Sequence, residues 1–437
     1  MGKMESFDSL FETFQPTTKK DWQEKVKADL KTDDLDALNW IDEDGITHQA
    51  YYSADEAESS KQALQKENPS WGILQSYSLD DWKPEDLRGH LKKAFDNGLE
   101  YAILYSEEFS KAHWSILDSA LKESGQLKYF VKGGFSEIAL SEKQGMLVDP
   151  IGKMIKDRKL VDGQIEALNE YFVKQISAFN MQRFLLVEGS IYGKMGASAV
   201  QEIAYCLRHT TEYLDLLTDA GQTADAIARS LTVNVSIGSA YFLQIAKFRA
   251  LRMNLNRLLD YYQSKAQIRI WAESNPYYLD HENFNNNLIR LSAQSMSAVL
   301  GLADRVSLSD VGAKLDRRLF ADRMIRNIQL MLKDESRFAK VEDLMEGAYY
   351  IEDLTNKLAE ESWELFKRME DKGRLLDQIE SADFLSDLKE MDEKRSGEFA
   401  STKRSLIGVN KYQNQEAEKG EKVKSGYESL SQKISKS

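Results

Sequence analysis

The chain has 437 residues, 42% of them hydrophobic and 30% charged, enough for one large domain with extensions or for two domains with well-filled cores. Its formal charge of −13 argues against an electrostatic nucleic-acid binder, whose affinity comes from Lys and Arg neutralising phosphates. A single cysteine, Cys206, excludes an internal disulfide framework and any multi-cysteine zinc or iron–sulfur site, and points to a reducing, cytoplasmic compartment.

The start MGKMESFDSLFETF is acidic and holds no apolar run of signal-peptide length, and no later segment reaches the roughly 18 apolar residues of a membrane span. Five prolines and 24 glycines fit a helix-rich α/β chain better than a turn-rich all-β one. Residues 1–69 read as an arm and lead-in, with a helix opened by Thr17 or Thr18. From residue 70 onward, short β-rich runs alternate with amphipathic helices, which implies parallel strands joined by right-handed crossovers. Predicted strands are Tyr101–Tyr105, Arg183–Val187, Leu231–Ile237 and Gln267–Ala272, each mostly apolar, as a strand covered on both faces is. Predicted helices include Val200–Leu217, stopped by Gly221, and Ala240–Gln263. This spacing suits a closed (β/α)8 barrel, and an open doubly wound sheet gives the same string. Beyond residue 357 the chain turns helical and charged, with Trp363, Phe366 and Met369 at a packing step before Gly373. A strand-like Leu406–Val409 then precedes a polar tail from residue 412, which is expected to be disordered or to gain order only against a partner.

Side chains able to do chemistry are few. None of the five histidines, His48, His90, His113, His209 and His281, stands in an HxH, HxxxH or HExxH pair that puts two imidazoles on one metal. Asp280, His281 and Glu282 are contiguous, so their side chains diverge; a polar loop before a helix is the plainer reading. Cys206 and His209 are neighbours on one helix surface, a conceivable thiol–imidazole pair, but mid-helix among core residues is not where activated thiols sit. Gly189–Lys194 is one residue short of a phosphate loop, and Met195 replaces the magnesium-binding hydroxyl. Lys247, Arg249, Arg252 and Arg257 make a basic row on the predicted helix; such a row either meets the phosphates of a nucleotide-bearing ligand or, more commonly, is a solvated face salt-bridged to acidic neighbours.

Five collinear blocks carry a resemblance: Gly196–Leu207, Val235–Arg252, Ser292–Gly301, Arg323–Ser336 and Glu346–Phe366. In order and spacing they resemble the substrate barrel of methylmalonyl-CoA mutases, with weaker similarity in FQPTTKKDWQEKVKADL, LNWIDEDGITHQAYYSADE and LIGVNKY. The resemblance implies an α/β fold, a (β/α)8 TIM barrel over residues 70–375 with an N-terminal arm, a helical extension and tail over 376–437, and no cobalamin-binding domain.

The family interconverts succinyl-CoA and methylmalonyl-CoA by a radical rearrangement begun by adenosylcobalamin. Its catalytic members hold cobalamin through a DxHxxG loop that none of the histidines here matches. Where they carry a Tyr-His pair, this chain has Ser190 and Ile191. Where a segment of the type RPWTIRQY supplies an arginine and a tyrosine, Leu74 and Ser76 stand, and other family histidines fall on Trp271 and Val306. The pattern resembles the family's small, non-catalytic subunit. It implies no catalytic, cofactor-binding or metal residues in this chain, adenosylcobalamin in a catalytic large-subunit partner, and a 1:1 heterodimer. A self-sufficient acyl-CoA isomerase and a CoA-binding accessory protein are the alternatives. Large residues such as Trp271, Ile191 and Val306 are expected to fill the barrel axis, and the arm, the segment beyond Glu360, Tyr349 and Tyr350 are candidate interface elements.

Overall fold

The computed structural model describes residues 17–53, 64, 66, 68–106, 129–132, 145–160, 170, 172–173, 185–280, 283–309, 318–413 and 428–434. The arm begins with α1 (Lys19–Leu30), where Thr18 caps the helix and Asp21 completes a capping box, and continues to a hairpin of β1 (Trp40–Ile41) and β2 (Thr47–His48).

Eight parallel strands follow, each beside its sequence neighbour: β3 (Gly72–Ser78), β4 (Tyr101–Tyr105), β5 (Tyr129–Lys132), β6 (Gly145–Leu147), β7 (Leu185–Glu188), β8 (Leu231–Ile237), β9 (Arg269–Ser274) and β10 (Arg305–Ser307). The last strand pairs with the first, Val306 against Ile73. The remaining seam, between β6 and β7, is joined by a bridge from Val148 to Leu185, with the Leu186 amide donating to the Val148 carbonyl at 2.9 Å. The sheet is a closed (β/α)8 barrel, and the open alternative falls away.

Helices α2 (Pro84–Asp96), α3 (Pro150–Asp157), α4 (Ser190–Lys194), α5 (Ala199–Asp219), α6 (Ala224–Ser230), α7 (Tyr241–Tyr261), α8 (Phe284–Leu300), α9 (Arg318–Leu330) and α10 (Tyr349–Glu370) pack outside it. Side chains alternate along each strand. Val233, Val235, Ile237, Ile270 and Ala272 join the shell between sheet and helices, whereas Leu74, Ile103, Leu147, Leu186 and Trp271 form a separate buried cluster on the axis. The extension is α11 (Leu375–Gln378), α12 (Ser386–Ala400) and α13 (Leu430–Ile434), and among the described residues it adds no second sheet. Nor is any described helix long and apolar enough to cross a membrane.

Three sequence expectations need correction. The strand expected at Gln267–Ala272 runs from Arg269 to Ser274, two residues later. Leu406–Val409 is a turn with a lone bridge from Ile407 to Lys411, held by the Asn410 side chain donating to the Phe399 and Arg404 carbonyls. The basic row on α7 is neither solvated nor free for phosphate: Lys247 pairs with Glu202 at 2.7 Å, Arg249 with Asp343 at 2.7 Å and Arg252 with Asp304 at 2.8 Å, all three cations buried. Arg257 instead lies over the Trp363 ring at 4.1 Å.

Candidate functional site

Barrel chemistry belongs at the C-terminal ends of the strands, where side chains from several strands converge. Here Glu273 of β9 reaches that mouth and collects three donors: Asn234 of β8 at 2.8 Å, Lys194 at 3.0 Å and Ser190 at 3.2 Å. Ser190 and Lys194 are the two ends of α4, which is seated directly after β7. Its close approach to β8 depends on Gly189, where a Cβ would come within 2.8 Å of the Asn234 carbonyl oxygen. Beside this group Glu188, the last residue of β7, accepts from Lys156 of α3 at 2.9 Å. Burial by itself would depress the Lys194 ammonium, but Glu273 and Glu188 overcome it and hold its pKa above the ordinary lysine value.

Below this polar ring the axis is closed by the apolar cluster and by Arg305, whose guanidinium lies 4.0 Å from the Tyr101 ring centroid and 4.9 Å from that of Trp271. Burial lowers the Arg305 pKa to about 10, against the opposing pull of Tyr101. Trp271 therefore fills the axis as expected. Val306 and Ile191 do not: both sit in the shell under the helices. Val306 pairs with Ala272, which faces outward, so its inward neighbours are Arg305 and Ser307. The polar ring was likewise unforeseen; a glutamate placed two residues after an inward Trp271 on one strand was the available signal.

The described histidines are all engaged. His48 Nε2 meets Asp42 at 2.9 Å and its Nδ1 meets the Tyr350 hydroxyl at 3.0 Å. His90 pairs with Asp322 at 2.8 Å. His209 meets Asp149 at 3.1 Å and Tyr192 at 3.3 Å. Burial would raise Asp149, yet His209 and the amides of Glu188 and Gly152 hold it below the usual carboxylate range. Both ring nitrogens of His48 and His209 are bonded within the chain, which leaves neither nitrogen of either imidazole open to a metal. His113 and His281 lie outside the described residues. Among the described residues no cluster of three His, Cys, Asp or Glu side chains is placed to hold a metal ion. Cys206 is buried, and burial pushes its thiol well above the ordinary value, the opposite of an activated nucleophile.

Segments from the N-terminal and C-terminal parts of the chain meet at the start of α5. The hairpin turn presents three successive acids to three different elements. Asp42 takes His48, which reaches Tyr350 on α10. Glu43 takes Arg395 of α12, and Asp44 accepts from the Ala199 and Val200 amides at the start of α5. Tyr350, expected as an exposed interface aromatic, is thus an internal contact, while Tyr349 is exposed.

Residues 156–436 match the sequence profile of methylmalonyl-CoA mutase. The chain belongs to the methylmalonyl-CoA mutase family. It is 27% identical over 455 residues to the methylmalonyl-CoA mutase small subunit of Porphyromonas gingivalis, covering 95% of this chain and 73% of that one. A probable methylmalonyl-CoA mutase small subunit of Mycobacterium bovis is 27% identical over 53% of this chain and 39% of its own length. The methylmalonyl-CoA mutase of Rhizobium meliloti is 29% identical over 56% of this chain, which spans only 34% of that relative. Within the mutase barrel, Leu74 and Ser76 occupy inward positions of β3, the first in the axial cluster and the second 3.5 Å from Ser307.

Proposed function

We propose that this chain is the non-catalytic small subunit of a heterodimeric mutase, in which a cobalamin-binding large subunit interconverts succinyl-CoA and methylmalonyl-CoA and this barrel serves to stabilise it. One observation carries the reading: large buried side chains, Leu74, Ile103, Leu147, Leu186 and Trp271, occupy the barrel axis, and the Arg305 guanidinium lies 4.0 Å from the Tyr101 ring centroid and 4.9 Å from that of Trp271, which leaves little room there for an acyl-CoA thread. The polar ring above it supports the same reading. Glu273 is neutralised by Lys194 and also accepts from Ser190 and Asn234, so the carboxylate at the mouth is engaged within the chain. The names of the relatives, small subunit and large subunit, support the pairing.

The test is mutase turnover with adenosylcobalamin for this chain alone, for a large subunit alone and for the mixture, together with the mass of the mixture by light scattering. Turnover confined to a 1:1 complex is expected. Turnover by the isolated chain, or a mixture that elutes as two separate monomers, overturns the proposal.

A further inference from the structure

A cavity lies outside the barrel axis, between α3 and α4 on one wall and α12 and α13 on the other, with a volume of about 400 Å³. That is within the range of roughly 300–1,000 Å³ in which small-molecule sites fall. Its ionic lining is five cations, Lys156, Arg158, Lys194, Lys389 and Lys433, against two carboxylates, Asp392 and Glu428. Met195, Leu385 and Leu388 supply an apolar floor.

Lys156 and Lys194 are paired with Glu188 and Glu273, which do not line the cavity. Cations outnumber carboxylates five to two in the lining of a chain whose net charge is −13. Lys433 is spent on Asp392. Arg158 comes from the left-handed C-cap of α3, with its guanidinium 5.5 Å from the Phe384 ring centroid and donating to the Phe384 carbonyl. Lys389 lines the same cavity from α12 and is largely exposed, with a 3.9 Å contact to Glu393. Arg158 and Lys389 thus border one amphipathic cleft from different helices, a layout suited to an anionic head with an apolar body beside it.

The geometry points to a binding site for a small organic anion, whose carboxylate or phosphate head is held by Arg158 and Lys389 and whose short apolar body packs on Met195, Leu385 and Leu388. A ligand seated there links the barrel to its own C-terminal extension. The site does not depend on the presence of a large subunit.

Isothermal titration of the full chain with succinate and with butyl phosphate, at constant ionic strength set by sodium chloride, tests it and separates the two head groups. Saturable binding of at least one is expected, weakened at least about tenfold by Arg158→Asn with Lys389→Gln, since each removes a charge-assisted hydrogen bond. Asn tolerates the left-handed backbone at position 158, so folding is preserved, and an unchanged melting temperature without ligand checks this. Lys265→Gln, on an exposed lysine outside the cleft, is expected to leave the affinity unchanged. Absence of saturable heat with both compounds, or full affinity in the double variant, overturns the proposal.

Discussion

Glu43 and Arg395 bind the two ends of the chain to each other. The Arg395 Nε and Nη2 donate to the two Glu43 carboxylate oxygens at 2.9 and 2.8 Å, and the arginine is 1% exposed. Arg404 adds a third donor at 2.6 Å, and Arg395 also reaches the Gly196 and Ala197 carbonyls. Burial opposes the Glu43 charge, but the two arginines overcome it and keep its pKa low.

Removing one partner of such a pair leaves a buried charge without its counterion. Glu43→Gln is therefore expected to cost about 3–5 kcal/mol of unfolding free energy, and Glu43→Leu with Arg395→Met to recover part of it. Urea denaturation of the wild type, the single and the double variant measures this; a loss under about 1 kcal/mol contradicts a buried clasp.

Asp44 makes stability depend on pH in a direction unusual for a carboxylate. Burial, aided by the neighbouring Glu43 and Asp42, pushes it from 3.8 up to about 7, against the bonds from Ser198 and the Val200 amide. Between these values the folded chain holds a proton that the unfolded chain has released. The stabilisation is thus full below about pH 4 and is lost as pH rises to about 7, by a few kcal/mol at roughly 1.4 kcal/mol per pH unit. Asp44→Asn is expected to flatten this slope, which paired urea midpoints at pH 5 and pH 8 would reveal.

Cys206 is expected to react with an aromatic disulfide on the order of 100-fold or more slowly in the native chain than in denaturant, because its thiol is both buried and hard to ionise. Following thiolate release with and without urea checks this. Rapid labelling of native protein would mean that α5 opens far more readily than its packing implies.

Trp271→Ala is expected to destabilise by about 3–5 kcal/mol, the cost of removing a large core side chain and leaving a void. It also takes away one of the two rings around Arg305. Thermal and urea unfolding supply the number, and a crystal structure of the variant would show whether the axis collapses or opens.

Much of this architecture is legible in local sequence. Tyr101–Tyr105 and Leu231–Ile237 are strands at the expected limits, since apolar runs covered on both faces leave little room for another reading. Closure of the barrel is not legible, because it rests on a short seam from Val148 to Leu185 that no periodicity encodes. The basic row on α7 misled for a related reason. Its partners Glu202, Asp343 and Asp304 lie 45, 94 and 52 residues away in sequence, so the charges looked unmatched until the helices met. Resemblance alone places Val306 and Ile191 on the axis; a strand's two-residue alternation turns Val306 outward, and Ile191 lies in α4, past the end of β7.

The clasp of Glu43 and Arg395 sets an order of events during synthesis. The arginine is made 352 residues after the glutamate. At about 5–20 residues per second the glutamate is made roughly 20 to 70 seconds before its partner, and the eight strands between them are translated in that interval. The two termini close over a barrel already made, so a chain truncated before α12 leaves Glu43 in an unfinished seam.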